Sequence, residues 1–379
     1  MPNDPTADQR FFQSTTRDFL TDTVPIGTVR ALGDSGTGFD RDWWQRGCEL
    51  GWTSMLIPES LGGGTVSGYA MTELGLVAEE LGRAVAPGPF VTTNAVLAGL
   101  VPAADRFAET LTAVQSGETV VAWAVYEPNR GFEALSGTVT GTRAEPNGDG
   151  YRLTGVKDRV EAGDQADLFL VTAESEQGPI QLLVRADAPG VTVTPAWTLD
   201  LVRRTAQVSF ENVEVAADAV VNVGAEAADS IRTQALTAAV LTATETVGAT
   251  GPAFDSTLEW LTDRYTFGRP LASYQALKHR MADNKTWLEA CKATVAAAAA
   301  AWDEDAAGAA ETVSIAKSFA GAKATVIAQD CVQLHGGIGV TWEHDLHLYL
   351  RRVTLGRTLY GTPEEHRRHI TDLLDTAAA

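Results

Sequence analysis

Hydrophobic residues follow a helical period through the first third of the chain. Phe12 and Phe19 recur near helical spacing, and residues 73–86 alternate apolar and acidic side chains at the same period, as amphipathic helices do. Two adjacent tryptophans, Trp43 and Trp44, are predicted to lie in the core, because large aromatic side chains are usually buried. The pattern therefore predicts an N-terminal helical domain.

The pattern changes near residue 118 to short β-rich runs that Gly, Pro, Asn and Asp separate. Regularly spaced short strands predict an antiparallel β domain, with a barrel as one of its forms. No G-x-G-x-x-G lies between a strand and a helix here, which argues against a dinucleotide-binding βαβ unit. The predicted strands are Thr119–Tyr126, Leu135–Thr142, Gly150–Leu153, Leu168–Thr172, Ile180–Val184, Val191–Pro195 and Ala206–Val213.

The last part of the chain is rich in alanine and predicts long helices joined by short loops, which is typical of an antiparallel four-helix bundle. The fold class is thus α+β, with an N-terminal helical domain, a middle antiparallel β domain and a C-terminal bundle. The predicted domains are residues 1–117, 118–225 and 226–379. The predicted bundle helices are about 229–264, 272–301, 308–334 and 343–358, followed by a short C-terminal helix.

Composition excludes several classes of function. The 29 basic and 49 acidic residues give a formal net charge of −20, which argues against a nucleic-acid surface. Cys48, Cys291 and Cys331 are far apart, so we expect neither a zinc site nor a disulfide framework. The N-terminus has no apolar signal region, and no window of eighteen residues is apolar. We therefore expect a cytoplasmic protein that does not span a membrane.

Candidate chemistry concentrates in residues 329–362. Three glycines (Gly336, Gly337 and Gly339) follow an Ala-rich helix, and an amphipathic run then ends at the pair 351–352, both arginines. Open backbone N–H groups and guanidinium forks both suit phosphate oxygens. The alternative is a glycine turn between two packed helices, since a GGxG loop alone is weakly specific.

A second motif upstream makes the pattern specific. Residues 264–275 read R-Y-T-F-G-R-P-L-A-S-Y-Q, residues 333–339 read Q-L-H-G-G-I-G, and a Gly-Thr turn follows at 361–362. With Trp52–Gly63 and Glu127–Pro128, this order resembles the acyl-CoA dehydrogenase family of flavoproteins over nearly the whole chain.

The run T-W-E-H-D-L-H-L-Y-L-R-R at 341–352 resembles a branch of that family in high-GC bacteria. Many members of the branch act on bulky or sterol-derived acyl-CoAs, and some form heterotetramers in which two dissimilar subunits share each flavin. In the same run, Glu343, His344, Asp345 and His347 are predicted to begin a capped helix rather than to bind a metal.

The resemblance implies FAD between the middle and C-terminal domains, with C-terminal motifs that also hold the flavin of a neighbouring subunit. Arg264 would pair with the pyrophosphate, although a cation favoured by the helix dipole is the alternative. Phe267 would pack on the cofactor, Gln275 and Gln333 would hydrogen-bond it, and Gly336 and Gly337 would admit its adenosine end. Thr362 and Glu364 would face the flavin from the subunit's own side. Trp123, Val125 and Tyr126 would line the flavin.

The middle domain departs from the family pattern. Tyr126 replaces the threonine of the family's T-E-P, and the G-x-G-S-D that should follow reads N-R-G-F-E at 129–133. The family's G-x-K-x-W-I-T-N, which covers the flavin ring, reads G-V-K-D-R-V-E-A at 155–162. The half-site presented to a neighbour is therefore intact, whereas the half-site for the chain's own flavin ring is eroded.

The family reaction is α,β-dehydrogenation of an acyl-CoA thioester, which needs a carboxylate base and an oxyanion hole. The glutamate usually found before the Gly-Thr turn is Tyr360 here, whose backbone N–H could still polarise a thioester. A second family position for the base is Ala238. The nearest acid on that helix, Glu245, is either a relocated base or a structural carboxylate bonded across the bundle.

The resemblance implies an enzyme that takes an acyl-CoA, passes electrons to an electron-transfer acceptor protein, and works as a homo-oligomer or a heterotetramer with a homologous subunit. Two alternatives keep the fold. One is a flavin monooxygenase or oxidase, which does not need the same glutamate, and the other is a non-catalytic partner subunit.

Overall fold

The computed structural model describes residues 5–306 and 308–378, and its first part is helical as predicted. Thr6 is the N-cap of helix α1 (Ala7–Thr23). The Thr6 hydroxyl accepts from the Gln9 backbone N–H, and the Gln9 side chain accepts from the Thr6 N–H. This reciprocal cap satisfies two helix-end donors. The helices that follow are α2 (Ile26–Ser35), α3 (Arg41–Glu49), α4 (Ala70–Arg83), α5 (Phe90–Leu100) and α6 (Ala104–Gln115).

Packed tryptophan and phenylalanine rings form the core of these helices. Trp43, Trp44 and Trp52 are buried, with the rings of the first two lying 5.6 and 6.2 Å from that of Trp52. Phe19 meets Trp52 edge-on at 5.6 Å, a favoured aromatic geometry. The prediction that the paired tryptophans are core residues is confirmed.

The middle part forms one sheet. Its strands are β1 (Val121–Ala124), β2 (Arg143–Asn147), β3 (Gly150–Glu161), β4 (Leu168–Ser175), β5 (Gly178–Arg185), β6 (Val191–Ala196), β7 (Thr205–Val215) and β8 (Val220–Val223). Their order is β6-β7-β3-β2-β4-β5-β8, with β1 paired to β4. Most pairs are antiparallel as predicted, but β1 and β2 run parallel to β4, so the sheet is mixed.

The predicted strand Leu135–Thr142 is wrong. Residues Glu133–Ser136 form a short 3-10 helix, which Gly137 ends in a left-handed conformation at φ +72°. The Ser136 hydroxyl donates to the Glu133 carbonyl at 2.7 Å. Such local side-chain bonds compete with strand pairing.

The C-terminal part is helical, in agreement with the predicted bundle. Its helices are α7 (Ala225–Asp263), α8 (Gln275–Glu304), α9 (Ala310–His335), α10 (Leu346–Thr358) and α11 (Pro363–Ala378). Alanine, the best helix former, also leaves room for close packing. Across residues 5–306 and 308–378, no helix offers a stretch both long and apolar enough to cross a membrane.

Helix α7 joins the bundle to the N-terminal helices at very short range. A Cβ on Gly82 of α4 would lie 2.0 Å from the carbonyl oxygen of Glu245, and a Cβ on Gly248 would lie 2.1 Å from that of Glu79. Only glycine allows the two backbones to approach this closely. The approach fixes the backbone of α7 at Glu245, whose side chain is buried and pairs with Arg203 between β6 and β7.

Candidate functional site

The segment after α7 forms a hairpin that holds Phe267 in solvent. Its strands are β9 (Tyr265–Thr266) and β10 (Arg269–Pro270). Phe267 and Gly268 form its tip with φ values of +52° and +80°, which is the pair of left-handed residues that tight hairpins need. The Phe267 side chain is 99% exposed. Tyr265 of the same hairpin is 63% exposed, and neighbouring exposed apolar side chains are typical of a contact surface.

The glycine-rich loop lies beside this hairpin. Helices α7, α8 and α9 follow one another through short connections, so the end of α7, the start of α8 and the end of α9 meet at one end of the bundle. The Trp260 ring stacks on His335 with centroids 5.4 Å apart, and the Arg264 guanidinium lies 5.7 Å from the Trp260 ring. Two motifs that are distant in sequence therefore form one surface.

This surface fits a pyrophosphate-bearing cofactor. Arg264, Gln275 and Gln333 are exposed. A Cβ placed on Gly336 or Gly337 would meet no atom within 4 Å, so a ligand can approach the main chain there. A guanidinium, two amides and open backbone suit phosphate oxygens. We call the surface formed by Arg264, Phe267, Gln275, Gln333, Gly336 and Gly337 the presented half-site.

Thr362 and Glu364 bond within the chain. The Thr362 N–H and hydroxyl donate to Glu365 at 2.7 and 2.9 Å, and the Glu365 N–H returns a bond to the Thr362 hydroxyl. Thr362 thus caps α11. Glu364 is exposed and pairs with Arg357 and Arg367. A role for either residue at a flavin stays a prediction.

The residues expected to line the flavin ring pack on the Gly-Thr turn, and their role at a flavin stays a prediction. Trp123, Tyr126 and Tyr360 are buried, and the rings of the first two lie 6.3 and 6.2 Å from that of Tyr360. Phe132 meets Trp123 and Tyr360 edge-on at 6.2 and 5.9 Å. Val125 is also buried, and its carbonyl accepts from Lys157 at 3.4 Å. We call Trp123, Tyr126, Phe132 and Tyr360 the aromatic cluster.

A second buried group of side chains joins the three parts of the fold. Arg203 pairs with Glu161 at 2.7 Å and with Glu245, while Arg352 pairs with Glu245 at 2.7 Å and with Asp200 at 2.5 Å. Arg352 also donates to the carbonyl of residue 86 in the N-terminal part. Buried charges are tolerated only when they are paired and hydrogen-bonded. We call these five residues the buried charge cluster.

The geometry of Glu245 bears on the two alternatives left open above. One of its oxygens accepts from Arg352 and the other from Arg203. Both carboxylate oxygens are thus engaged by guanidinium groups of the same chain, as in a structural ion pair. The contacts therefore favour the structural carboxylate bonded across the bundle.

The two arginines at 351–352 do not form an exposed phosphate site. Arg351 donates to the Leu199 carbonyl at 3.0 Å, and Arg352 is 1% exposed. Burial alone would raise the pKa of Asp200, but Arg352 and two backbone N–H groups hold that pKa below its usual value. Sequence reasoning missed Asp200, Arg203 and Glu161, and the one available signal was a charged L-D-L-V-R-R run between two predicted strands.

The run at 342–347 begins a helix, but Asp345 does not cap it with its side chain. Helix α10 starts at Leu346, whose N–H donates to His344 at 3.1 Å, and Asp345 pairs with Arg30 at 2.7 Å. Across the described part of the chain, no group of three or more His, Cys, Asp or Glu side chains could hold a metal ion.

Two buried side chains, Lys317 and His366, hydrogen-bond to backbone carbonyls in and next to the Gly-Thr turn. Lys317 donates to the carbonyls of Gly356 and Gly361 at 2.8 and 3.0 Å. His366 lies 3.0 Å from the Tyr360 carbonyl and 3.1 Å from the Ser314 hydroxyl. Burial, reinforced by Lys317, lowers the pKa of His366 to about 3. The imidazole is therefore neutral in the folded chain at neutral pH.

We expect the chain to lose stability as the pH falls from about 6.5 towards 3. The unfolded chain binds a proton on His366 in this window, whereas the folded chain does not. The loss should be of the order of a few kcal/mol. Thermal unfolding of His366→Gln should show a flatter pH dependence, while the exposed control His279→Gln should follow the parent chain. Equal slopes for all three proteins would contradict the assignment.

Comparisons with known proteins agree on one family. Models described as "Acyl-CoA dehydrogenase, N-terminal domain" and "Acyl-CoA dehydrogenase, C-terminal domain" match residues 6–107 and 213–374. The chain is 32% identical over 368 residues to "Acyl-CoA dehydrogenase IpdE2" of Mycobacterium tuberculosis, covering 97% of each.

Solved structures give the same result. One is titled "Crystal structure of the ChsE4-ChsE5 complex from Mycobacterium tuberculosis" (26% identity, TM-score 0.84, 98% of each chain). Another, a single-substitution variant, has a title that begins "Tcur3481-Tcur3483 steroid ACAD" (26% identity, TM-score 0.85, 98% of each chain).

Proposed function

This chain belongs to the acyl-CoA dehydrogenase family, oxidoreductases that act on the CH–CH group of acyl-CoA, and from this premise we propose that it is one of two unlike, homologous subunits that share FAD. In this arrangement, the chain gives its presented half-site to a flavin whose ring lies in the partner. The substrate we propose is a bulky or sterol-derived acyl-CoA, and the electron acceptor is an electron-transfer protein.

The observation that carries the proposal is the contrast between the two halves of the site. The presented half-site is open, with Phe267 almost fully in solvent and open space above Gly336 and Gly337. The residues that would line a flavin ring within the chain are instead buried against one another. A chain with one open and one filled half needs a second chain to complete a site, and homologous subunits meet through matching surfaces.

The roles of the chain's own residues follow from their chemistry. Arg264 would pair with the pyrophosphate through its planar fork, Gln275 and Gln333 would donate hydrogen bonds, and Phe267 would pack on the cofactor. FAD, when bound, supplies the acceptor for the hydride that leaves the β-carbon. Position 360, where the family has its glutamate, is a tyrosine whose pKa burial raises well above its usual value. The partner would therefore supply the base.

The relatives support both the substrate class and the two-chain arrangement. The relatives named above include a structure whose title describes a steroid enzyme and a structure of a complex between two named chains. Both are about a quarter identical to this chain along its whole length. A steroid-type substrate and an assembly of two named chains therefore both have precedents among the relatives of this chain.

The test is an absorbance spectrum of the chain purified alone and then coexpressed with a homologous acyl-CoA dehydrogenase chain. We expect a colourless chain alone and a yellow complex that a bulky acyl-CoA bleaches under anaerobic conditions. A homo-oligomer of this chain that is yellow and is bleached by an acyl-CoA would refute the proposal.

A further inference from the structure

We propose that a groove between α4 and α8 binds an elongated, mostly apolar molecule that carries a hydroxyl group at one end. The groove has a volume of about 550 Å³, and buried residues of α7 form its floor. Sites for small molecules commonly have volumes of about 300 to 1,000 Å³. The inference goes beyond the proposed function, because no lining residue belongs to the presented half-site, the aromatic cluster or the buried charge cluster.

The groove exists because α4 and α7 separate along their length. They touch at Gly82 and Gly248, where an added Cβ would lie 2.0 and 2.1 Å from a carbonyl oxygen of the other helix. At Gly75, about two turns away along α4, an added Cβ would meet only the Thr244 methyl, at 4.0 Å. Helix α8 lines this gap largely with alanines, whose small side chains do not fill it. The space is therefore built into the packing of three helices.

The middle of the groove is apolar over a length that suits an elongated molecule. Helix α8 lines the groove from Lys292 at one end to Glu304 at the other, and these residues are about 18 Å apart along the helix axis. The residues of α8 that line the groove between them are Val295, Ala296, Ala299 and Ala300. Apolar surface that is removed from water against such a wall favours binding in proportion to its area.

One end of the groove carries an acidic and a basic side chain, Glu79 and Lys292. One Glu79 oxygen accepts from Gln13 at 3.2 Å, and the other accepts no hydrogen bond from residues 5–306 and 308–378. Lys292 lies 3.6 Å from Glu289, which is beyond the usual hydrogen-bond distance. Burial and the neighbouring Glu80 raise the pKa of Glu79, whereas the charge of Lys292 opposes this rise. The two side chains therefore have unused hydrogen-bonding capacity at the same end of the groove.

A hydroxyl group fits this end of the groove better than a charged head group does. A hydroxyl can donate to the Glu79 carboxylate and accept from the Lys292 ammonium at the same time. A carboxylate head would lie beside Glu79 and an ammonium head beside Lys292, and like charges repel. Glu304 at the opposite end further disfavours an anionic ligand. The matching class is an elongated alcohol, either a linear one or one with fused rings as in a sterol.

A change of head group tests the polar end of the groove. By equilibrium dialysis, the full chain should bind 1-decanol more tightly than decanoate or decylamine. Glu79→Gln leaves Lys292 unopposed and should improve the binding of decanoate, whereas Lys292→Met should improve the binding of decylamine. Preferences that stay the same in both variants, or decanoate bound as tightly as 1-decanol by the parent chain, would overturn the hydroxyl assignment. Competition by cholesterol, delivered from cyclodextrin, distinguishes a sterol from a linear alcohol.

The decisive measurement fills the groove. We expect the parent chain to bind 1-decanol at one saturable site, and Ala296→Leu to weaken this binding about tenfold or more, since overfilling a packed site is unfavourable. Ala297→Leu is the matched control, because both alanines are exposed on α8 and, of the two, only Ala296 lines the groove. Binding of 1-decanol that does not saturate, or that is equally strong in the two leucine variants, would overturn the proposal and leave the proposed function standing.

Discussion

Glu245→Gln is expected to lower the free energy of unfolding of the chain by about 3–5 kcal/mol, the usual cost of removing one partner from a buried ion pair. The side chain is 6% exposed and accepts from Arg203 and Arg352. The substitution keeps the shape and removes one negative charge. The two guanidinium groups then face each other with less compensation, and neither can be hydrated without opening the core. Chemical denaturation followed by circular dichroism measures the change.

A matched control separates burial from charge. Glu289→Gln makes the same chemical change on the surface of α8, where Glu289 pairs with Lys285 at 2.9 Å. An exposed pair of this kind contributes little, so the control should shift the unfolding free energy by less than about 0.5 kcal/mol. Equal effects of the two substitutions would show that the buried charge cluster does not hold the fold together.

The same pair of variants bears on catalysis. A relocated base would be lost in Glu245→Gln, and the assembled enzyme would lose nearly all of its turnover while its stability hardly changed. A structural carboxylate gives the opposite result, in which stability falls and turnover per folded complex is retained. The contacts of Glu245 with two arginines favour the second result.

The fold could be predicted because its signals are local. The Ala-rich runs that become α7 to α9 and the change to short β-rich runs near residue 118 depend on neighbours within a few turns or strands. The wrong strand at 135–142 shows the limit of such signals. Gly137 and the Ser136 hydroxyl bond stabilise a local turn, and the apolar pattern alone does not reveal this competition.

The surface that carries the presented half-site was predictable from the sequence, whereas the buried charge cluster was not. Arg264, Gln333 and the glycines lie in short contiguous motifs at helix ends, and consecutive antiparallel helices bring such ends together. The buried charge cluster has no local pattern. Arg352 and Asp200 are 152 residues apart and pair only after three parts of the chain have folded together. A lone arginine in a sequence therefore resembles a phosphate ligand and a structural ion-pair partner equally well.

Phe267→Asp is expected to weaken flavin retention by the two-chain complex at least tenfold, since aromatic anchors at the centre of an interface commonly contribute about 2 kcal/mol or more. The side chain is 99% exposed, so the isolated chain should unfold at the same temperature as the parent. The new carboxylate would also stand near the pyrophosphate that Arg264 is proposed to hold, and like charges repel. Flavin release on dilution, followed by fluorescence, measures the effect.

The chain offers a control that matches Phe267 in exposure. Trp197 is 85% exposed beyond the end of β6, on the β domain and outside the presented half-site. If Phe267 is exposed because it contacts a partner-bound cofactor, Trp197→Asp should leave flavin retention unchanged. Equal losses from both substitutions would instead indicate that any new surface charge disturbs the complex. A loss confined to Phe267→Asp would tie the exposure of the hairpin tip to the shared flavin.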